Sequence, residues 1–372
     1  MKNQSFNDLL EPYDWDQVTQ QIYDKGERDV IQALSKDRAD LEDLKALVSP
    51  AATPYLEQMA QKSQTITQQR FGKTIRMYVP LYLSNYCSNG CVYCGFNAKN
   101  KIPRKKLTTE EVLAEANQII KLGFKSILLV TGEDQRRCNT EYLKEIITLL
   151  NPMFDTISIE VQPMDTEDYS ILKEVGLHAV YVYQETYHQK SYPDYHAFGR
   201  KRDFKYRLTT PERIAEAGVH KLGFGALLGL EEWRTEAFFI ALHLSYMEKK
   251  HWQTQYSISF PRLRPHAGNF PPQFPINDTE LLKLICAFRI FNPYVELTLS
   301  TRESAFYRDN LLSLGVTSMS AGSKTEPGGY VKENKELKQF EIEDARSVEE
   351  VVSAINERGY EVVWKDWDTV LA

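Results

Sequence analysis

Cysteine is scarce, five residues in a chain of 372. The number is odd and three of the five are crowded together, which argues against a disulfide framework and for a reducing cytoplasm. No histidine lies within eighty residues of the crowded three, and Cys138 and Cys286 stand apart from them. The paired knuckles of a structural zinc site are therefore missing, as is the fourth nearby cysteine of a ferredoxin. Positive charge is not in excess: the net charge of −6 provides no basic footprint for nucleic acid. No apolar run reaches the length of a membrane span, GFGALLGL at 223–230 being among the longest. The amino terminus, MKNQSFNDLLEPYDW, lacks the apolar stretch and basic flank of a secretory leader. No Gly-x-Gly-x-x-Gly follows a strand pattern, which removes the usual reason to expect an open dinucleotide-binding sheet. What remains is the composition of a soluble globular protein with a large core, 42 % hydrophobic and 26 % charged.

What is present begins with a period. Strand-like apolar runs recur at 74–83, 126–131, 156–161, 179–184, 222–228, 255–260, 296–299 and 317–321. Amphipathic helical patterns lie between them, from Thr108 or Thr109 to a stop at Gly123, then around 141–150, 166–175, 211–217, 232–249, 278–291 and 302–314. Strand–helix alternation predicts a parallel sheet, and eight units predict closure into a (β/α)8 barrel of the α/β class, with a doubly wound open sheet as the alternative. Polar residues gather at the carboxyl ends of the strands: the cysteine loop, Glu133, Glu160, Gln162, Glu185, Arg262, Arg302, Ser320 and Ser323. Barrel active sites form at that face. Residues 1–73 read as a helical extension and 74–325 as the barrel. Residues 326–372 form a closing segment, with a turn at 326–330, a helix at 347–357 and a strand at 360–364.

The three crowded cysteines are spaced Cys87-x-x-x-Cys91-x-x-Cys94. Thiolates at that spacing wrap one loop around a cubane cluster, each on its own iron, and leave the fourth iron open. Tyr93, before the last cysteine, is an aromatic able to lie against a purine ring. The pattern resembles the Cys-x3-Cys-x-aromatic-Cys signature of the radical S-adenosylmethionine (SAM) enzymes. That resemblance implies a 4Fe–4S cluster holding SAM on its open iron, and an electron donor such as flavodoxin or ferredoxin. It also implies a 5′-deoxyadenosyl radical that takes hydrogen from a substrate held close by. Gly132-Glu133 resembles the glycine turn and carboxylate that such enzymes offer to the SAM ammonium, although a plain strand-end turn looks the same. Glu185 and Arg207 match positions where the biotin-synthase-like branch contacts SAM, a carboxylate for its ammonium or ribose and a guanidinium for its carboxylate. A surface ion pair is the alternative for Arg207. Glu160 is grouped with these cofactor contacts.

A closer resemblance is to the aromatic amino acid lyases of that branch. It is carried by Tyr86 to Phe96 (YCSNGCVYCGF), by Gln184-Glu185-Thr186-Tyr187-His188, by Phe260-Pro261-Arg262-Leu263-Arg264-Pro265 and by Ser300-Thr301-Arg302-Glu303. With the helical preamble it covers nearly the whole chain and looks most like the tyrosine lyase (2-iminoacetate synthase) family of thiamine thiazole biosynthesis. The resemblance implies cleavage of the Cα–Cβ bond of L-tyrosine to 2-iminoacetate and p-cresol, and a complex with thiazole synthase. It makes Arg302 the clamp for the substrate carboxylate, with Arg262 and Arg264 as alternatives, and Ser320 the holder of the amino nitrogen. A salt bridge to Glu303 is the plainer reading of Arg302, and a barrel-layer residue that of Ser320. A tryptophan lyase and an iron–sulfur electron carrier are the rival readings. With no cysteine after Cys286, the second cluster of the hydrogenase-maturing tyrosine lyase is not expected. The scattered histidines are read as structural, with Tyr187 and His188 kept as possible site residues because they adjoin Glu185.

Overall fold

The computed structural model of the protein describes residues 4–365. Among these residues nine strands form one parallel sheet: β1 Thr74–Ser84, β2 Ser126–Thr131, β3 Thr156–Glu160, β4 Leu177–Tyr181, β5 Lys221–Phe224, β6 Gln255–Ser259, β7 Glu296–Leu299, β8 Ser318–Ser320 and β9 Glu361–Val363. Pairing runs from β1–β2 (Val79 beside Ile127) round to β7–β8 (Thr298 beside Ser318) and returns through β8–β1 (Ser318 beside Arg76). The sheet is therefore a closed (β/α)8 barrel, as the eightfold alternation predicts, and not an open sheet. β9 is an addition. Arg76 is flanked by Ser318 on one side and Val363 on the other, so β9 lies along the start of β1, below the point where β2 begins.

Alternation explains what the barrel encloses. In β1 the side chains of Ile75, Met77, Val79 and Leu81 are buried in the main core, while Tyr78, Pro80 and Tyr82 line the interior cavity. The helices begin where side chains can cap them: Thr108 with Glu111, Asn277 with Glu280, and Ser347 with Glu350 each form a reciprocal capping box. The amino-terminal residues form the helices Phe6–Leu10, Trp15–Tyr23, Glu27–Ser35, Leu41–Val48 and Leu56–Phe71. Their apolar faces do not form a core of their own; Phe6, Val18, Ile22, Leu44 and Met59 join the core of the barrel helices. Trp15 stacks on Phe239 at 5.4 Å and Phe6 on His243 at 3.8 Å.

Several boundaries differ from the sequence pattern: the strand expected over 222–228 runs only from Lys221 to Phe224, others shift by a residue, and two differences bear on the site. The fourth strand starts at Leu177, directly after Gly176, and ends at Tyr181. The apolar run continues past it because Val182 and Gln184 keep bonding, donating to the carbonyls of Gly223 and Gly225 at 2.9 and 3.1 Å, outside regular pairing. The helix expected over 302–314 is confined to Ala305–Leu311, because Ser304 caps it by accepting from the N–H of Tyr307. That leaves Arg302 in the loop above β7. After β8 the chain crosses the barrel mouth before the helix Val348–Glu357. Residues 1–3 of the predicted extension and 366–372 of the predicted closing segment lie outside the described residues.

Candidate active site

The loop after β1 carries Cys87, Cys91 and Cys94 to the carboxyl-end face, where all three line one cavity of about 180 Å³ inside the barrel. The loop is pinned from several sides. Ser88 and Gly90 donate backbone N–H groups to the carbonyls of Glu133 and Phe198, both at 3.0 Å, and Arg104 donates to the carbonyls of Asn85 and Phe96. Gly132 permits the packing: a Cβ there would fall 2.3 Å from the carbonyl oxygen of Tyr86 and 3.2 Å from the Cβ of Cys87. The glycine of the strand-end turn thus serves close approach to the cysteine loop. Among the described residues, no three His, Cys, Asp or Glu side chains converge on a point that could hold a single metal ion. A cubane makes no such demand, since each thiolate takes a different iron. Burial pushes the Cys87 thiol up to about 11 and raises Cys91 and Cys94 as well. Three thiols set around one cavity, Cys91 buried and the other two half-buried, with no cation at bonding distance among the described residues, fit a cationic iron cluster that would hold them as thiolates.

Beside the cysteines stands a group of four charges. Glu133 meets Arg207 at 2.8 Å and accepts from the Asn89 amide at 2.7 Å; Glu185 meets Lys201 at 2.6 Å and Arg207 at 3.9 Å. Burial alone would raise the Glu133 carboxyl, but Arg207 and Lys201 outweigh it and hold it below its ordinary value. Arg207 is 5 % exposed, so the surface-pair alternative does not hold. Glu185 has a left-handed backbone, φ 72°, a conformation that costs a non-glycine residue about 1–3 kcal/mol. The turn aims its carboxylate at the cavity while the following residues leave it. Tyr187 bonds His243 Nδ1 at 2.9 Å, and His188 meets Glu231 at 3.1 Å and stacks on Trp15. Neither lines the cavity, so adjacency in sequence misplaced them. His196 is likewise structural, bonded to the Tyr192 carbonyl at 2.8 Å and the Tyr93 hydroxyl at 2.6 Å. Those bonds hold the Tyr93 ring at the cavity wall.

Across the cavity, Arg302 and Ser320 stand at the ends of β7 and β8. Glu303 pairs with Arg262, not with Arg302, because the turn after β7 sends the two neighbours in different directions. Arg262 is also held by Asp278 at 2.7 Å and does not line the cavity; Arg264 does, but is paired with Glu343 at 2.6 Å. Arg302 donates to the Arg262 carbonyl at 3.3 Å and lies 3.5 Å from the ring centre of Phe340. Ser320 accepts the N–H of Thr301 at 3.2 Å. Glu160, at the end of β3, lines the same cavity; burial and Glu185 push its carboxyl up to about 7 against the pull of Arg302, Lys201 and Arg207. Ser323 lines the cavity too, whereas Gln162 turns away and donates to the Cys138 carbonyl at 2.6 Å. Cys138 and Cys286 are buried in the core, away from the cysteine loop.

Several lining residues carried no sequence signal. Lys201 sits in Arg200-Lys201-Arg202, which reads as a solvated basic run. Tyr78, Tyr82, Tyr181 and Tyr183 read as packing, and Gln339 and Phe340 belong to a polar tail. For the tyrosines, inward register at successive strands was the one available sign.

The chain matches the model of the radical SAM superfamily over residues 81–238 and that of the biotin and thiamin synthesis associated domain over residues 259–361. It is 46 % identical to the 2-iminoacetate synthase of Salmonella typhimurium, over 99 % of this chain and 98 % of the relative, and 45 % identical to that of Escherichia coli over the same shares. The crystal structure of HydG, a maturase of the FeFe-hydrogenase, superposes with a TM-score of 0.91 at 31 % identity, covering 96 % of this chain and 81 % of that one. A full-length likeness of this size leaves one assignment: the chain belongs to the radical SAM superfamily and, within it, to the family of the 2-iminoacetate synthases.

Proposed function

We propose that the protein cleaves the Cα–Cβ bond of L-tyrosine to 2-iminoacetate and p-cresol, converting SAM to methionine and 5′-deoxyadenosine with two electrons from a one-electron carrier and one proton. The observation that carries this reading is one enclosed cavity with three cysteines at one wall and an arginine without a carboxylate partner among the described residues, Arg302, at the other. Cys87, Cys91 and Cys94 would hold a 4Fe–4S cluster, which with SAM supplies a primary carbon radical able to remove a hydrogen atom.

The chain's own residues do the rest. Glu133, Glu185, Lys201 and Arg207 balance to zero charge, so a ligand carrying one ammonium and one carboxylate matches them sign for sign. They would hold the methionyl end of SAM, and Tyr93 would lie against its adenine. Arg302 grips the tyrosine carboxylate in a planar two-point contact, and Ser320 accepts from or donates to the nitrogen. A tyrosine nitrogen gives up a proton on the way to an imine. Glu160, with its carboxyl near 7, takes or returns that proton at neutral pH, a role proposed beside the SAM contact expected from sequence. The walls of tyrosine rings and the chain crossing the mouth exclude water, which an imine does not survive.

Two partners belong to this reading. An acidic one-electron carrier such as flavodoxin or ferredoxin fits the rim of the cysteine loop. Exposed basic residues stand there: Lys99 and Lys101 just after the loop, Arg136 and Arg137, the latter over the ring of Tyr86, and Arg200 and Arg202. A thiazole synthase would accept 2-iminoacetate before it hydrolyses to glyoxylate and ammonia. Anaerobic co-purification, with glyoxylate measured with and without that synthase, tests the complex; unchanged glyoxylate and no association would remove it. Among the described residues no helix is long and apolar enough to cross a membrane, and a cytoplasmic enzyme is proposed.

The test of the function is anaerobic reconstitution with iron, sulfide, SAM and dithionite, offering tyrosine and tryptophan in turn. p-Cresol from tyrosine supports the reading. An indole or skatole product from tryptophan, with no p-cresol, would assign the tryptophan lyase instead. Cluster reduction without any 5′-deoxyadenosine would leave an electron carrier.

A further inference from the structure

The chain that crosses the barrel mouth touches both walls of the cavity within two consecutive residues. Gln339 donates its side-chain amide to the Cys94 sulfur at 3.6 Å, and its amide oxygen accepts from the Tyr82 hydroxyl at 2.8 Å. Its backbone is fastened to the cysteine loop and to the strap's own base. Gly95 donates to the Gln339 carbonyl at 3.1 Å, and Gln339 donates to that of Thr325 at 3.0 Å. A Cβ on Gly95 would fall 2.3 Å from the Gln339 carbonyl oxygen, so this contact requires glycine. The next residue, Phe340, lies face-on to the Arg302 guanidinium at 3.5 Å. Farther on, Glu343 and Asp344 donate to the carbonyl of Thr301, beside Arg302, at 2.9 and 3.2 Å. The mechanism above uses neither Gln339 nor Phe340.

We propose that the Gln339–Phe340 pair makes electron uptake at the cysteine loop depend on substrate at Arg302. A carboxylate gripped by Arg302 fixes the guanidinium plane, and the ring stacked on that plane follows it. The adjoining amide then shifts on the Cys94 sulfur. An N–H donor on a cluster sulfur favours the more negative, reduced state, and such outer bonds are among the factors that set iron–sulfur potentials. Tyrosine binding thus tightens the bond and eases one-electron reduction. Without tyrosine the looser bond disfavours reduction, and less SAM is consumed without product. Gln339 and Phe340 are positioning residues here, acting through Cys94 and Arg302.

This inference rests on the reading of the three cysteines as cluster ligands and of Arg302 as the substrate clamp. The test is an EPR-monitored redox titration of the reconstituted protein, with and without saturating tyrosine. Iron, sulfide and tyrosine binding are measured on the same samples, so that failure of the underlying reading shows separately. In the unaltered protein, tyrosine should raise the ratio of reduced to oxidised cluster at fixed potential at least threefold. Gln339→Ala should lower that ratio in the absence of tyrosine and abolish the response. Phe340→Leu should leave the substrate-free ratio near that of the unaltered protein and abolish the response, and Gln339→Asn should restore part of it. Amide hydrogen exchange of 337–344 in the metal-free protein gives a second readout, with tyrosine slowing exchange in the unaltered chain and not in Phe340→Leu. No tyrosine effect on the ratio, or an equal effect in both variants, would overturn the proposal.

Discussion

Two glutamates at opposite ends of the barrel show what each end is for. Glu296 opens β7 at the amino-terminal end, and Glu160 closes β3 at the carboxyl end. Burial raises both. At Glu296, Lys221 at 2.8 Å and Arg76 at 3.5 Å outweigh burial and draw the carboxyl down to about 2. At Glu160, burial is reinforced by Glu185, and more distant cations do not cancel it, so the carboxyl stays near 7. The amino-terminal end satisfies its charge locally. The carboxyl end leaves charges unsettled for a ligand to complete, which is how a site differs from a brace.

The sharpest way to break this contrast is at the cysteine loop. Cys87→Ala, Cys91→Ala and Cys94→Ala should each abolish cluster assembly and SAM cleavage while leaving the thermal midpoint of the metal-free protein nearly unchanged. Cys138→Ala and Cys286→Ala should retain the cluster, by iron and sulfide count and visible absorbance. A Cys138→Ala protein without cluster would overturn the ligand assignment.

Next is the clamp. Arg302→Lys keeps the charge but loses the planar fork, and should raise KM for tyrosine about 10- to 100-fold, equivalent to ~1.4–2.7 kcal/mol. 5′-Deoxyadenosine formed per p-cresol should rise with it. Normal turnover would move the carboxylate site to Arg264, the other arginine lining the cavity.

At the opposite end, Lys221→Met removes the nearer partner of Glu296 and should cost about 2–3 kcal/mol of stability in urea unfolding, with activity per folded molecule unchanged. A loss of turnover greater than the loss of folded protein would show that this end also serves catalysis.

A last test is in pH. Glu160 ionises near 7 when folded, against 4.5 ordinarily. Unfolding therefore releases its proton between those values, and its ionisation lowers stability as pH rises through that window, with no further loss above 7. Glu296 has the opposite sign: its contribution is complete above 4.5 and is lost as pH falls toward 2. Glu160→Gln should be as stable as the unaltered protein at pH 4 and more stable at pH 8, and should lose the pH dependence of p-cresol formation near 7. A profile unchanged near 7 would place the proton acceptor elsewhere.

The barrel was legible because its elements obey local rules. The strands at 126–131 and 296–299 and the helix at 278–291 coincide with their patterns, since a buried apolar run and a capped amphipathic run each have definite ends. The cysteines, Glu133, Glu185, Arg207 and Arg302 were found because short motifs mark them, Ser320 because it ends a strand, and the fold brings all of them to one cavity. What sequence could not show is direction. The left-handed turn at Glu185 separates it from Tyr187 and His188, and nothing in the residue names announces that turn. Lys201, Gln339 and Phe340 owe their place to long-range packing, which leaves no periodic trace.

The ninth strand has a bearing on how the molecule is made. β1 is among the first barrel residues to leave the ribosome, yet its neighbours on either side at Arg76 are β8 and β9, among the last. Pairings between distant parts of a chain form slowly and cannot form before both parts exist. The cysteine loop, which follows β1 directly, therefore spends most of synthesis on an unclosed wall with its thiols open to solvent. A cluster bound by those thiols would find its widest access then, and after closure would reach them only through the barrel mouth.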